Sequence, residues 1–422
     1  MQVFKFGGAS VNSLERIRSL VQIFRENAGQ SILVVISAMG KTTNALEKVA
    51  ESFYRQDKEK ALQLFDQIKQ EHYQTAKALL TASYHSCEEQ LLNFFTEVEW
   101  LLHDQPVQSY DYYYDQIVCI GELLSTSIVS AFLNESGIKN EWLDVRDILR
   151  TDDNFRDANI DWEFSASKVN QLVKPLLADN GIVLTQGFIG STDENESTTL
   201  GREGSDYSAA VFANLLNAEK QTIWKDVAGV MNADPKIFPT AQLISTLNYT
   251  EVIEMAYYGA QVIHPKTIKP LQNKGIPLQV KCFLDTSLPG TLIHNEPVKN
   301  LPPIIVWKQA QVLLQLKSKD FSFVGEKPVA ALYHIFAQHS MRPNMTQNGA
   351  ISFTCVLDEN AEKLEQLAFE AAQFFEVSME KGLSLLTIRH NVPGLLDQLI
   401  QGKEWILKQE TRETVQALLK TG

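Results

Sequence analysis

The chain opens with a pattern that few folds accommodate. Residues 3–6 form a short apolar strand that ends in Gly7-Gly8. Leu14, Ile17, Leu20, Val21 and Phe24 then recur at helical spacing. Residues 31–38 (SILVVISA) follow as an unbroken apolar run, the mark of a strand buried on both faces. Strand, helix and buried strand in that order predict a parallel sheet flanked by helices.

The rest of the first two thirds fits the same plan. Residues from about 45 to 105 read as long helices rich in Glu, Lys and Gln, a helical insertion or cap. A further helix is expected over 114–134, with Gly121-Glu122 near its start. A further buried strand is expected over 181–189, strands over 221–227 and 278–283, and helices over 206–216 and 250–263. Beyond Pro302-Pro303 the elements shorten. Residues 312–378 read β-α-β-β-α-β, a small regulatory-module pattern. A partial second copy over 383–422 stops after its third strand. The expected division is therefore 1–297 and 298–422. The second part holds one complete module at about 312–380 and a truncated one from about 298–310 plus 383–422.

Composition narrows the function classes. With 422 residues and 44% hydrophobic content, the chain can bury the cores of two or three domains. A formal net charge of -13 makes it a poor partner for nucleic acid or an anionic membrane. Cys87, Cys119, Cys282 and Cys355 are far apart and form no CxxC pair, so zinc and disulfide scaffolding are not expected. The N-terminus lacks the basic-then-apolar pattern of a secretory signal, and no run of about 18 apolar residues suggests a membrane span. A cytoplasmic protein is expected.

Several segments carry chemistry. In Lys5-Phe6-Gly7-Gly8-Ala9-Ser10, two glycines let backbone N–H groups approach an anion, and the next helix turns its positive end toward it. Lys5 adds a full charge. A purely structural Gly-Gly turn would look the same, and the chain lacks a GxxxxGK[ST] loop. Ser37-Ala38-Met39-Gly40-Lys41-Thr42-Thr43-Asn44 lies at the carboxyl end of the second strand, where open α/β sheets bind ligands, although its hydroxyls also suit a helix cap. Glu122 stands among Ile120, Leu123 and Leu124, as a site carboxylate or a solvated helix charge. Arg202 and Asp206 flank a Gly-Ser that begins a helix. An arginine there can grip a carboxylate through two donors, while Asp206 also suits the helix dipole. Residues 224–236 (WKDVAGVMNADPK) form a strand end and turn able to hold a nucleotide. His264 has no company suited to a metal and is read as structural.

Together and in this order, KFGGAS, SAMGKTTN, GELLST, GFIGS with TLGREGSDYSAA, WKDVAGVMNADPK and GAQVIHPKTI resemble the aspartate kinase branch of the amino acid kinase family. The resemblance spans residues 1 to about 295, and the C-terminal module resembles an ACT domain. It implies an α/β amino acid kinase fold, a mainly parallel sheet between helical layers, followed by an α+β ACT region. It further implies transfer of the ATP γ-phosphoryl to the side-chain carboxylate of L-aspartate, opening lysine, threonine and methionine synthesis. By resemblance Lys5 neutralises the transferred group, Asp206 orients that lysine, and Gly7, Gly8 and Ser10 form the phosphate loop. Ser37, Thr43, Glu122, Arg202 and Ser205 match aspartate-binding positions. Lys225, Asp226, Met231, Lys236 and Gln261 fall on the nucleotide stretch.

Aspartate's side-chain carboxylate is already ionised at neutral pH, with an ordinary pKa of about 3.9, so no general base is expected. Mg²⁺ is expected to arrive with ATP, held by the phosphates and without a protein metal site. The sequence departs from its relatives in places. Ala9 stands where Thr is common, Glu203 where Gly is common, and Met231 where an aromatic is common. Gln261 replaces a lysine of the cation set, and Lys225 stands where a neutral residue is common and is expected to compensate as a catalytic cation. ACT units usually pair across a two-fold axis, so a homodimer is expected. A lysine or threonine effector is expected at residues 318–329 and 343–345. No homoserine dehydrogenase segment is present, which suggests a monofunctional kinase. The rival readings are a catalytically silent amino-acid sensor, motivated by Gln261 and Glu203, and another kinase of the same fold.

Overall fold

A computed structural model describes residues 1–420, and they cluster into two compact units. The first holds Met1–Val230, Leu243–Ile253 and Ile263–Val298. The second holds Met231–Gln242, Glu254–Val262 and the chain from Lys299 on.

Ten strands belong to the first unit. They are β1 (Gln2–Phe6), β2 (Ile32–Ile36), β3 (Glu141–Trp142), β4 (Ile182–Gln186), β5 (Ile189–Ser191), β6 (Ser197–Thr199), β7 (Lys220–Lys225), β8 (Thr246–Asn248), β9 (Leu278–Cys282) and β10 (Thr291–His294). Eight of them form one sheet in the order β3-β4-β2-β1-β7-β9-β10-β8, and β5 with β6 makes a separate hairpin. Strands β3 through β9 of that order run parallel, and β10 reverses against β9. Every residue of β2 is fully buried. Since successive strand residues point to opposite faces, the sheet must be covered on both sides. The helix Gly204–Leu216 packs on β1, β2 and β7, and the helix Ile120–Glu135 packs on β2 and β4. Register brings the strand ends level: Phe6 pairs with Ile36 and Trp224, and Ile36 pairs with Gln186. The loops after β1, β2, β4 and β7 therefore emerge at one edge.

The expected helical region after β2 consists of three helices, Thr42–Tyr54, Lys58–Leu79 and Tyr84–His103. Tyr110–Val118 and Ile120–Glu135 follow almost without a break. Their 26 residues are apolar enough by composition to cross a membrane, but 83% of the most apolar window is buried, as in a core helix. The helix expected over 250–263 stops at Tyr257. Gly259, at φ 105°, turns the chain out of helical geometry, and a Cβ there would meet Lys308 Cδ at 2.8 Å. The helix Pro265–Lys274 escapes sequence reading because Pro270 lies inside it. His264 caps it, its Nδ1 accepting from Lys266 N–H at 3.2 Å.

The second unit is built on one antiparallel sheet. Its strands are β11 (Ile304–Ser318), β12 (Met345–Asn348), β13 (Ser352–Asp358), β14 (Phe375–Arg389), β15 (Trp405–Glu410) and β16 (Thr414–Lys420), in the order β12-β13-β11-β14-β16-β15. Sequence reading sees 304–308 and 312–318 as separate strands; they are one 15-residue strand with irregular register between Lys308 and Leu313. The strand β14 likewise spans both modules. Helices Glu326–Gln338 and Ala361–Ala371 bury Val312, Leu314, Leu316, Phe353 and Leu357. In the other half, the six-residue helix Leu395–Ile400 packs on Leu386, Ile388, Val415 and Leu419. Leu313, Val356, Leu383, Leu385 and Leu418 form a third cluster, on the opposite pleat. All four cysteines are buried and unpaired.

Candidate active site

A cavity of about 510 Å³ opens at the shared strand edge of the first unit. One wall starts at Lys5, the penultimate residue of β1. The Lys5 ammonium lies 2.5 Å from Asp206 Oδ1, at the first turn of the helix Gly204–Leu216, and both side chains are nearly buried. Burial opposes ionisation of Asp206, but the charges of Lys5 and Lys225 outweigh it and hold the carboxyl below its ordinary range. The loop after β1 is tight. Gly40 N–H donates to Gly8 O at 3.1 Å, and a Cβ on Gly8 would stand 2.7 Å from Ala38 O. The loops after β1 and β2 can approach this closely only with glycine at position 8.

Glu122 lies in the first turn of the helix Ile120–Glu135, 2% exposed. Its Oε1 accepts from Ala38 N–H at 3.3 Å, while Oε2 is buried with no partner. Burial pushes its pKa up to about 8, against the Ala38 hydrogen bond and the Lys5 charge. A buried, unpartnered carboxylate oxygen facing a cavity is a receptor for a cationic ligand group. Ser37, Thr43, Arg202 and Ser205 line the same cavity. Gly187, after β4, makes room for Ser205: a Cβ there would sit 2.6 Å from Ser205 Cβ.

The structure thus brings Lys5, Gly8, Ser37, Thr43, Glu122, Arg202, Ser205, Asp206 and Lys225 to one cavity. Gly7 lies beside Lys5, whose Nζ would be 3.3 Å from a Cβ at that position. Ser10 is buried, its hydroxyl donating to Trp224 O at 3.3 Å. Asp226 stands 3.9 Å from the Arg16 guanidinium. Met231, Lys236 and Gln261 belong to the second unit, where Lys236 N–H donates to Asp234 at 2.9 Å and Gln261 is exposed. Glu203 adopts the left-handed conformation at φ 53°, and its carboxylate accepts from His264 N–H at 3.0 Å. That bond, at the start of the helix Pro265–Lys274, gives the acidic side chain a partner of its own.

Tyr114, Arg156, Phe188 and Thr199 also line the cavity; Phe188 and Thr199 lie in the quoted motifs without an assigned role, and sequence reading gives none to Tyr114 or Arg156. Asp115, fully buried, ties two of them down: Oδ2 accepts from Arg156 N–H at 3.0 Å and Thr199 N–H at 2.8 Å, and Oδ1 accepts from the Thr199 hydroxyl at 2.7 Å. Burial pushes Asp115 up to about 6, against those hydrogen bonds. Arg156 sits in a polar loop with no periodic signal.

Residues 1–282 match the model of the amino acid kinase family, two thirds of the chain. The chain belongs to the amino acid kinase family. Among its relatives is lysine-sensitive aspartokinase 3 of Escherichia coli, 30% identical over 399 residues, covering 92% of this chain and 87% of the relative. The chain also spans 32% of a bifunctional aspartokinase/homoserine dehydrogenase of Zea mays, at 32% identity over 305 residues. The crystal structure of E. coli aspartokinase III with lysine and aspartate superposes with a TM-score of 0.83 at 28% identity, over all of this chain and 96% of that one. The fold is therefore that of an amino acid kinase, α/β with a mainly parallel sheet, followed by an antiparallel sheet of the ACT type.

Proposed function

We propose that this amino acid kinase is an aspartate kinase, transferring the γ-phosphoryl group of ATP to the side-chain carboxylate of L-aspartate to give 4-phospho-L-aspartate. The observation that carries the reading is one cavity holding the Lys5–Asp206 pair, the unpartnered Glu122 oxygen and Arg202. Free aspartate presents one ammonium and two carboxylates. Glu122 receives the ammonium, Arg202 the α-carboxylate, and Ser37, Thr43 and Ser205 supply hydroxyls around them. The side-chain carboxylate is then left facing Lys5. It attacks phosphorus in its ionised form, the bond to the β,γ-bridging oxygen breaks, and ADP leaves with that oxygen's charge. Lys5 and Lys225 neutralise charge on the transferred group, and Asp206 holds the Lys5 ammonium in place. The protein's contribution is alignment and cations rather than proton transfer.

Gly7, Gly8 and Ser10 form the phosphate loop, and Asp226, Met231, Lys236 and Gln261 are proposed nucleotide positions. Asp206 is already paired with Lys5, and in this reading Mg²⁺ is carried by the triphosphate and water. The E. coli relative has also been solved with aspartate and ADP, at a TM-score of 0.81 and 27% identity, which supports nucleotide and acceptor together. Its lysine-bound form supports lysine as effector here; the proposal places that effector at the C-terminal sheet, with threonine as the alternative. A cytoplasmic homodimer serving lysine, threonine and methionine synthesis completes the proposal.

The test is an aspartate-dependent hydroxamate assay with MgATP, repeated with added lysine or threonine. Product that requires aspartate and disappears in Lys5→Ala supports the kinase. A folded protein that binds aspartate yet makes no product sinks it in favour of a silent sensor.

A further inference from the structure

Arg156 is a cation of the cavity to which neither the phosphoryl end nor the Glu122–Arg202 pair gives a task. Three features show that it is held in place. Its backbone is left-handed, φ 70°, a conformation that a residue with a Cβ keeps only when its surroundings enforce it. The enforcing group is the buried Asp115 carboxylate, which accepts the Arg156 N–H at 3.0 Å and also binds Thr199. The guanidinium is fixed as well: its carbon lies 4.3 Å from the Tyr114 ring centroid, Nη1 donates to Asp111 at 3.2 Å, and Nη2 stands 3.7 Å from Glu47. A guanidinium carries five donors in a rigid fork. Asp111 and Glu47 occupy part of that fork, and the side chain still lines the cavity shared with Glu122 and Arg202. Its guanidinium stacks on Tyr114, and both residues share the cavity wall with Glu122 and Arg202.

We propose that Arg156 is a specificity-determining residue that receives the α-carboxylate of the amino-acid acceptor together with Arg202. This rests on the aspartate kinase reading and deepens it. The acceptor's two carboxylates are chemically alike, and the enzyme must phosphorylate one and spare the other. A clamp of two guanidiniums on the α-carboxylate achieves this, because it leaves only the side-chain carboxylate able to reach Lys5. It also selects free amino acids over those whose α-carboxylate is blocked.

The left-handed backbone makes Arg156→Gly a clean test, since glycine adopts that conformation without a Cβ to hinder it. KM for L-aspartate should rise about tenfold or more, the value of a lost charged hydrogen bond. KM for ATP should stay within about twofold, which a general loosening of the site would not allow. The α-amide of aspartate supplies the second arm. Parent enzyme should discriminate strongly against it, and the variant should lose most of that discrimination. Arg156→Lys, which keeps the charge without the fork, should fall between the two and serves if the glycine variant does not fold. An unchanged KM for aspartate, or equal penalties for the α-amide in parent and variant, overturns the proposal. Failure of the kinase reading itself would show separately, as absence of aspartate-dependent turnover in the parent.

Discussion

Two buried carboxylates in one cavity are driven to opposite protonation states, and their partners decide which way. Asp206 faces Lys5 and stays ionised; Glu122 faces a missing partner and holds its proton to about pH 8. Lys5→Met removes half of the nearly buried pair and leaves Asp206 with only the Lys225 charge to offset its burial. We expect a stability loss of about 3–5 kcal/mol and loss of aspartate-dependent turnover, read by thermal unfolding beside the hydroxamate assay. Glu122 obeys the reverse logic. Unfolded, it gives up its proton near its ordinary 4.5; folded, it keeps it to about 8. Between those values the native state binds more protons, so this group's contribution to stability falls as pH rises from 4.5 to 8. Glu122→Gln removes that loss, and at pH 7 the variant should be more stable by on the order of 1–3 kcal/mol. It should also lose most of its aspartate affinity, having no charge for the ammonium. In the parent, KM for aspartate should fall as pH rises toward 8. A flat KM profile with an unstabilised variant would contradict the role given to Glu122.

At the scale of elements, the site is made where strand ends meet helix starts. The acceptor end depends on a further tie, the Asp115 carboxylate on the helix Tyr110–Val118, which binds the 151–158 loop and the end of β6. It accepts three hydrogen bonds, two of them from backbone N–H groups at Oδ2 and the third from the Thr199 hydroxyl at Oδ1. Asp115→Ala, which removes all three acceptors, should cost about 1–3 kcal/mol and raise KM for aspartate more than KM for ATP. Equal effects on both substrates, or none, would show that the tie does not serve the acceptor end. The Asp115 carboxyl rises from 3.8 to about 6 on folding, so stability from this group also declines as pH climbs through that window.

At the scale of the whole chain, the division into units is not a single cut. The backbone passes between them at 230–231, 242–243, 253–254, 262–263 and 298–299. The two short segments of the second unit find their partners beyond residue 298: Ile305 N–H donates to Asn232 O at 2.7 Å, Asn232 Nδ2 donates to Pro303 O at 2.9 Å, and Arg389 pairs with Glu254 at 3.1 Å. A chain ending at residue 298 strips those segments of their partners and exposes them. We expect it to aggregate or to lose turnover on expression; a soluble, fully active 1–298 fragment would show that the segments fold without the C-terminal sheet.

The sequence alone determined the parallel sheet, the tight glycine turn after its first strand and most of the cavity's charged residues. Those signals are local: the apolar run of β2, the Gly-Gly turn after Lys5, and the glycine and acid that open the helix Gly204–Leu216. Pattern also revealed the first βαββαβ module, through strands and helices of ordinary length. What only the tertiary structure decided depends on residues far apart in the chain. Arg156 became part of the cavity because Asp115, 41 residues earlier, holds its backbone, and no periodicity encodes such a tie. The 15-residue strands β11 and β14 look like pairs of short strands in sequence, because the irregular register between them interrupts alternation without ending hydrogen bonding. The membership of 231–242 and 254–262 in the second unit followed from partners beyond residue 298, because burial and hydrogen bonding, not chain order, determine where a segment settles.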